Sequence, residues 1–129
     1  MTSELASVFA RLRQILESHA PGFVVSRATP RRYELEAGVG PATLRAWAGK
    51  AKRPRIPVAW VSIEKSYVGY HLMGLADPRV SRSLSTKLAD RMHGKTCFNF
   101  KTADAELLKE LEAVTALALA SLRDGGFIA

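Results

Sequence analysis

The stretch from Glu64 to Lys101 constrains the fold of this 129-residue chain more than any other segment. Its pattern predicts one strand, a helix over residues 80–92 and a second short strand over residues 95–101. Phe98 and Phe100 alternate with polar residues in the second strand, and successive side chains of a strand point to opposite faces of a sheet. We therefore expect both phenylalanines to face a hydrophobic core and the polar residues between them to lie on the other face.

Both ends of the chain carry apolar residues at the spacing of an amphipathic helix. These are Leu5, Val8, Leu12, Ile15 and Leu16 near the N-terminus, and Leu107, Leu111, Val114, Ala118 and Leu122 near the C-terminus. Thr2 or Ser3 is expected to cap the first helix, and Thr102 is expected to cap the last. The sequence thus predicts a helix at each end of the chain.

Alternating and β-branched segments between these helices predict antiparallel strands. The segments are residues 23–25, 31–37 and 43–48, and a hairpin of residues 58–64 and 67–73. The resulting fold class is α+β, with an antiparallel sheet of about five to six strands. The N-terminal helix, the inserted helix and the C-terminal helix are expected to pack on one face of it. The length and the absence of a linker or repeat predict a single domain over residues 1–129.

Several features of the sequence favour the cytoplasm as the location of the protein. Cys97 is the only cysteine, which excludes an internal disulfide and suits a reducing compartment. The first residues place Glu4 before Arg11 and Arg13, whereas a signal peptide needs basic residues followed by an apolar stretch. The longest apolar run falls far short of the roughly 18–20 residues that span a membrane. We therefore expect a cytoplasmic protein that does not associate with a membrane.

The net charge of +7 and the isoelectric point near 10.0 suggest nucleic acid as one possible partner. The densest basic cluster contains Lys50, Lys52, Arg53 and Arg55, which are candidates for contacts with phosphates. Trp47 and Trp60 flank this cluster and are candidates for stacking on bases. No helix-turn-helix or zinc-finger pattern accompanies them, and scattered arginines on an ordinary basic surface explain the same charge.

Five residues on the predicted outer face of the sheet form the candidate ligand-binding site. They are Trp60, Tyr67, His71, Cys97 and Asn99. Strand alternation places them opposite the core-facing residues Val68, Tyr70 and Leu72. A surface that carries indole, phenol, imidazole, thiol and amide groups is richer than solvation alone requires. The alternative interpretation is a mixed polar sheet face without a ligand.

The sequence predicts no catalytic residue, no metal site and no cofactor. Cys97 becomes a nucleophile only if a neighbouring cation lowers its pKa, and His71 becomes a base only if it lies within reach. No motif supplies the oxyanion site that a hydrolase needs. His19, His71 and His93 are far apart in the sequence, and no C-x-x-C or H-E-x-x-H motif is present.

The same central segments resemble the YdhG-like family of small bacterial proteins, most of which have no established activity. Three segments carry the resemblance: the strand KSYVGYHLM at residues 65–73, the helix end RMHG at residues 91–94 and the strand KTCFNFK at residues 95–101. The resemblance implies an antiparallel sheet with helices packed on it, similar in outline to frataxin. For some relatives, the likeness to frataxin has suggested an iron-chaperone role.

The chain departs from the family and from frataxin in two respects. Iron handling of the frataxin type uses an acidic surface on the first helix, whereas this helix carries only Glu4 and Glu17 against two arginines. The turn formed by Gly74, Leu75 and Ala76 lacks the aromatic residue associated with the family, which weakens the expectation of a pocket near that turn.

The leading hypothesis is a non-enzymatic protein that binds a small molecule or a protein partner on its open sheet face. The alternatives are a metal-handling protein of the frataxin type and a basic accessory protein of nucleic acid.

Overall fold

The computed structural model describes residues 3–129, in which one five-stranded antiparallel sheet has the strand order β1-β2-β3-β4-β5. The strands are β1 (Val24–Thr29), β2 (Arg32–Gly38), β3 (Arg55–Ile63), β4 (Val68–Leu72) and β5 (Cys97–Phe100). The helices are α1 (Ser3–His19), α2 (Pro41–Ala46), α3 (Pro78–Ser81), α4 (Thr86–Ala89) and α5 (Ala105–Asp124), with a 3-10 turn at Met73–Ala76. Thr2, one of the two expected capping residues of α1, lies outside the described residues.

The two long helices cover one face of the sheet, which confirms the predicted α+β class. The core-facing stripe of α1 is buried, and Phe9 joins it. Leu107, Leu111 and Val114 of α5 are buried in the same core. Within residues 3–129, no helix covers the opposite face of the sheet. The side chains of β2 and β5 that point to this face have intermediate exposure, whereas those between them are buried in the core. This arrangement leaves one broad sheet surface open to ligands.

The inward-facing residues lie where strand alternation predicts them. Phe98 and Phe100 are 0% and 1% exposed, and Val68 and Tyr70 of the neighbouring strand are fully buried. The hydroxyl of Tyr70 finds a partner in Thr115 Oγ1 at 2.7 Å. Because the hydrogen of the Thr115 hydroxyl is already donated to the Leu111 carbonyl oxygen at 2.7 Å, Tyr70 is the donor in this bond.

Pro57 lies near the start of β3, as expected for a residue without an amide hydrogen. The pairing of β3 with β4 begins only at Ala59, so Pro57 lies beyond the end of β4 and needs no donor on that side. The register between β2 and β3 shifts between Leu35 and Glu36, close to Pro57. This irregularity adapts the strand to the proline.

The prediction of one helix over residues 80–92 is wrong. Two four-residue helices, α3 and α4, replace it, and serine side chains separate them. Ser83 donates its hydroxyl to the carbonyl oxygen of Val80, and Ser85 caps α4 by accepting from the amide of Leu88. Such local hydroxyl bonds compete with a continuous helix. Val80 and Leu88 are buried all the same, which explains why the apolar spacing suggested one helix.

Met92 and Gly94 are not at a helix end either. Met92 forms a β-bridge with Phe98, and the amide of His93 donates to the carbonyl oxygen of Cys97 at 2.8 Å. Gly94 has a φ of +82°, which suits the tight turn that returns the chain to β5. The segment from Arg91 to His93 therefore runs along the outer edge of β5.

Residues 43–48, expected to form a strand, belong largely to helix α2. Gly40 precedes this helix and Pro41 occupies its first turn, a position that tolerates a residue without an amide hydrogen. Thr43 is nearly buried and donates its hydroxyl to the carbonyl oxygen of Phe127 at 2.7 Å. This contact with the C-terminal tail holds the segment as a helix.

The cap of α5 also differs from the expectation. Asp104, not Thr102, is the N-cap, and its carboxylate accepts from the amides of Glu106 and Leu107. A carboxylate at this position also interacts favourably with the positive end of the helix dipole.

Within residues 3–129, no helix has both the length and the apolar character that a membrane crossing requires.

Candidate functional site

Strands β3, β4 and β5 bring four of the five candidate residues together on the open sheet face. Trp60 pairs with His71, and His71 pairs in turn with Cys97, so these three form one row across the sheet. In the adjacent row, Ser62 pairs with Gly69 and Gly69 pairs with Asn99. The strand phase that buries Phe98 and Phe100 therefore also gathers the imidazole, thiol and amide groups on one surface.

The indole of Trp60 is sandwiched between two neighbours. The His71 ring stacks on it with a centroid distance of 4.5 Å and an interplanar angle of 11°. The guanidinium carbon of Arg32 lies 5.6 Å from the indole centroid. Because Arg32 is on β2 and His71 is on β4, the two contacts cover opposite faces of the indole. Stacking of a nucleobase on Trp60 would therefore require one of these neighbours to move.

Cys97 connects the first row to the second. Its Sγ atom lies 3.5 Å from Nε2 of His71 and 3.6 Å from Oδ1 of Asn99. The carbonyl oxygen of Phe98, an acceptor, also lies at 3.5 Å from Sγ. These lengths suit the weak hydrogen bonds of a thiol.

The electrostatics of this cluster favour uncharged groups. Burial raises the pKa of the Cys97 thiol above its ordinary value. Burial also lowers the pKa of His71, and the positive charge of Arg32 adds to that effect. A reactive cysteine needs the opposite shifts, with a lowered thiol pKa and a cationic partner. The geometry thus brings Cys97 and His71 into contact, but the environment favours a thiol and a neutral imidazole.

Gly69 has no side chain, and the rings of His71 and Tyr67 occupy the space above its backbone. A Cβ atom at this position would lie 3.3 Å from Nε2 of His71 and 3.7 Å from Cε2 of Tyr67. Two rings thus cover the backbone of Gly69, which is buried although it lies on the open face. Tyr67, the fifth candidate residue, comes to the site in this way from the loop that precedes β4.

A polar depression of about 250 Å³ adjoins Tyr67 and Asn99. The remaining lining residues are Asp90, Arg91, Met92, His93 and Lys101. They are present because the amide of Asn99 donates to the carbonyl oxygen of Arg91 at 2.8 Å, which holds this segment against β5. Asp90, Arg91 and His93 were not predicted as site residues, since a helix over residues 80–92 does not pair with a strand. The glycine at 94, typical of a tight turn, was the available signal.

The charged groups of the depression are unpaired within residues 3–129. Arg91 and Lys101 form no ion pair there, and neither does Asp90. The amide nitrogen of Asn99 and the hydroxyl of Tyr67 likewise have no hydrogen-bond partner among these residues. The depression thus combines the cations of Arg91 and Lys101, the carboxylate of Asp90 and the imidazole of His93 with the two neutral polar groups.

The basic cluster lies away from this site, on the loop before β3 and at the first residue of that strand, Arg55. Lys50, Lys52 and Arg53 are exposed, whereas Arg55 donates to Oε1 of Glu36 at 3.0 Å. The ammonium group of Lys52 lies 5.9 Å from the ring centroid of Trp47. Trp47 is therefore the only one of the two tryptophans that contacts this loop, because Trp60 lies in the row with His71 and Cys97 on the sheet.

A larger and mainly apolar groove of about 580 Å³ lies beside the turn at Met73–Ala76. A groove therefore lies near Gly74, Leu75 and Ala76, although the lack of an aromatic residue in this turn had weakened the expectation of a pocket there. The turn itself carries no aromatic residue. Trp47 at the end of α2 and Phe127 of the C-terminal tail supply the aromatic rings of the groove instead. No pattern in the local sequence relates these distant segments.

Among residues 3–129, no three histidine, cysteine, aspartate or glutamate side chains lie close enough together to share a metal ion.

The chain matches no family model, no curated protein and no solved structure among those compared with it.

Proposed function

We propose that the protein is a cytoplasmic, non-enzymatic binding protein of the YdhG-like type, with a ligand site on the outer face of its sheet. The ligand is a small polar molecule with a carboxylate or phosphate group. One observation carries this proposal: the row of Trp60, His71 and Cys97 leads through Asn99 into a polar depression with unpaired cations. The single free thiol at Cys97 supports the reducing compartment.

The groups around the depression define the class of ligand. Arg91 and Lys101 supply positive charge, and a planar guanidinium can bind a carboxylate or phosphate with two hydrogen bonds. The amide nitrogen of Asn99 and the hydroxyl of Tyr67 offer further donors to the same molecule. A volume of about 250 Å³ lies below the roughly 300–1,000 Å³ of sites for drug-sized molecules. The ligand is therefore small.

The rows of the sheet provide a firm wall for this site. Trp60 and His71 are held by their mutual stacking, and Cys97 is held by contacts on both sides. A site whose side chains are already positioned loses less entropy when a ligand binds.

The protonation of the cluster supports a non-enzymatic role. A nucleophilic mechanism needs a thiolate that is activated by a base, whereas burial favours the neutral forms of Cys97 and His71. The nucleic-acid and metal-handling alternatives have less support. Both faces of Trp60 are occupied, and the described residues supply no cluster of three metal-binding side chains.

Calorimetric titration tests the proposal with inorganic phosphate, acetate and succinate as probes. We expect at least one probe to bind, and we expect Arg91→Ala and Asn99→Ala to weaken its binding. The matched control is Lys109→Ala, which removes an exposed cation of α5 that lines a different surface. The absence of heat with all probes contradicts the proposed ligand class. Equal losses in Arg91→Ala and Lys109→Ala contradict the proposed site, because they indicate a response to net charge.

A further inference from the structure

We propose that the groove beside the turn at Met73–Ala76 is a second binding site, for a small amphipathic molecule with an apolar body and one anionic group. This site is separate from the sheet face. It is formed by α2, the start of β3, the segment from Met73 to Arg79, and the C-terminal end of α5 with its tail. Nothing in the local sequence of any one segment reveals it.

The walls of the groove are held by direct backbone contacts. Gly74 packs so closely on α5 that a Cβ atom there would overlap the carbonyl oxygen of Ala118. On the other side, the amide of Ala42 donates to the carbonyl oxygen of Gly126 at 2.8 Å, and Thr43 bonds to Phe127. The groove is thus shaped by the fold, as binding pockets for small molecules usually are.

The lining of the groove is apolar and partly open to solvent. Met73 is 37% exposed and Phe127 is 45% exposed, and both line the groove with Trp47, Ile56 and Leu122. Scattered apolar residues on a surface need no explanation, but these converge on one concavity from four segments of the chain. The volume of about 580 Å³ falls within the usual range for a small organic ligand.

The charges of the groove select an anionic end group. Asp77 is already paired, since it accepts from the Arg79 side chain at 2.9 Å and from the Ser121 hydroxyl at 2.7 Å. These bonds hold the pKa of the Asp77 carboxyl well below its usual range. Arg53 also lines the groove, and it forms no ion pair within residues 3–129.

A cationic ligand would therefore meet an unpaired guanidinium and no available carboxylate. An anionic ligand can pair with Arg53 while its apolar body contacts Trp47 and Met73. Lys52, which lies over the ring of Trp47, adds positive charge at the same end. Charge complementarity thus favours a fatty-acid-like or aromatic carboxylate over a neutral or cationic molecule.

Decanoate is the probe, and the methyl groups of methionine report its position by NMR in protein labelled with ¹³C at these methyl groups. Met73 lines the groove, whereas Met92 lines the depression beside the sheet face. We expect decanoate to shift the Met73 signal and to leave the Met92 signal unchanged. A phosphate titration that shifts only Met92 reports on the sheet face. Failure at one site is therefore distinguishable from failure at the other.

Two variants and their control define the groove. Ala76 is exposed and lines the groove, so Ala76→Phe fills it without burying new surface in the core, and we expect it to abolish the Met73 response. Arg53→Ala is expected to weaken decanoate binding about two- to fivefold, on the scale of one exposed ion pair. Lys50→Ala removes a neighbouring exposed cation that does not line the groove, and we expect no change.

The class of ligand is tested with decanol and decyltrimethylammonium at the same concentrations. Weaker binding of both than of decanoate supports the proposal. Equal binding of decanol or of the cation contradicts it, and so does an unchanged Met73 response in Ala76→Phe. Light scattering identifies the remaining possibility. A dimer that Ala76→Phe disrupts would mean that a second copy of the chain occupies the groove, and this result overturns the proposal.

Discussion

The Sγ atom of Cys97 lies 3.5 Å from Nε2 of His71 on the neighbouring strand, and burial favours the uncharged form of both groups. Proximity alone therefore does not create a thiolate–imidazolium pair here. The contact instead joins two parts of a surface, the stacked rings of Trp60 and His71 and the amide of Asn99. Two predictions follow from the protonation of this pair.

The first prediction concerns the reactivity of Cys97 with iodoacetamide. Because burial raises the pKa of the thiol, we expect the alkylation rate to be low near pH 7 and to rise until the pH exceeds the roughly 8.5 of a free cysteine. The rate is measured as a function of pH by mass spectrometry of the intact protein. A rate plateau between about pH 5 and pH 8 would indicate an activated thiolate and would contradict this account.

The second prediction concerns the stability of the protein in mild acid. Because the folded state lowers the pKa of His71, the unfolded chain takes up this proton first as the pH falls below about 6.5. The free energy of unfolding contributed by the neutral imidazole is therefore present above that pH. It is lost progressively as the pH falls towards the lower pKa of the folded state.

Urea denaturation at several pH values between about 5 and 7.5 measures this effect, above the range in which carboxylates titrate. His71→Gln should be less stable at pH 7.5, since it loses a ring contact of about 0.5–1.5 kcal/mol, and its stability should depend less on pH. His93→Gln, which replaces an exposed imidazole, is the matched control. Identical slopes in the original protein and in His71→Gln would refute the assignment.

The third prediction concerns the buried hydrogen bond between Tyr70 and Thr115. Tyr70 is the donor, so Thr115→Val leaves a fully buried hydroxyl without an acceptor, at a cost of about 1–3 kcal/mol. Tyr70→Phe removes that hydroxyl and leaves Thr115 bonded to Leu111, so its cost should be nearer 1 kcal/mol.

The double variant Tyr70→Phe/Thr115→Val provides the decisive comparison, because it contains no unsatisfied hydroxyl. We expect it to be more stable than Thr115→Val alone, as measured by urea denaturation. If the two changes were simply additive, the two hydroxyls would not be coupled, and the hydrogen bond would contribute nothing to stability.

The fourth prediction concerns the close approach of the 3-10 turn to α5. A methyl group at Gly74 would overlap the backbone of Ala118, so Gly74→Ala should lower the free energy of unfolding by more than about 2 kcal/mol. Gly38→Ala is the matched control, because its added Cβ atom would meet only the Ala129 Cβ atom at 3.4 Å. Thermal denaturation compares the two. Equal melting temperatures would mean that the turn does not pack on α5 as described.

Strict periodicity made part of the fold predictable from the sequence. The alternation of Phe98 and Phe100 with polar residues determined the phase of β5, and one phase error would have exchanged the two faces. The apolar spacing in α1 and α5 extends over about three turns or more, which favours a helix over a strand. These elements then placed Cys97 and Asn99 opposite the core.

Short segments were predicted less well because local patterns of that length fit more than one structure. Leu44 and Ala46 alternate with polar neighbours, yet Pro41 and the bond from Thr43 to the tail produce a helix. Across residues 80–92 the apolar spacing was correct, but the hydroxyls of Ser83 and Ser85 interrupt the helix. In both cases a side-chain bond outweighs the periodicity.

The depression and the groove depend on contacts between distant segments, which no single sequence displays. Arg91 reaches the site through a backbone bond to Asn99, and the groove exists because Gly74 allows close packing on α5. A glycine in the sequence indicates freedom of the backbone, but it does not identify the neighbour that will use the space.

Mapping of backbone amide shifts by NMR during a titration with the best-binding small anion tests the central claim most directly. The account predicts that the largest shifts occur at Gly69, His71, Cys97 and Asn99, together with Arg91 across the edge of β5. Shifts confined to residues 50–55, or shifts that leave Asn99 and Arg91 unchanged at saturation, would contradict the assignment of the open sheet face as the ligand site.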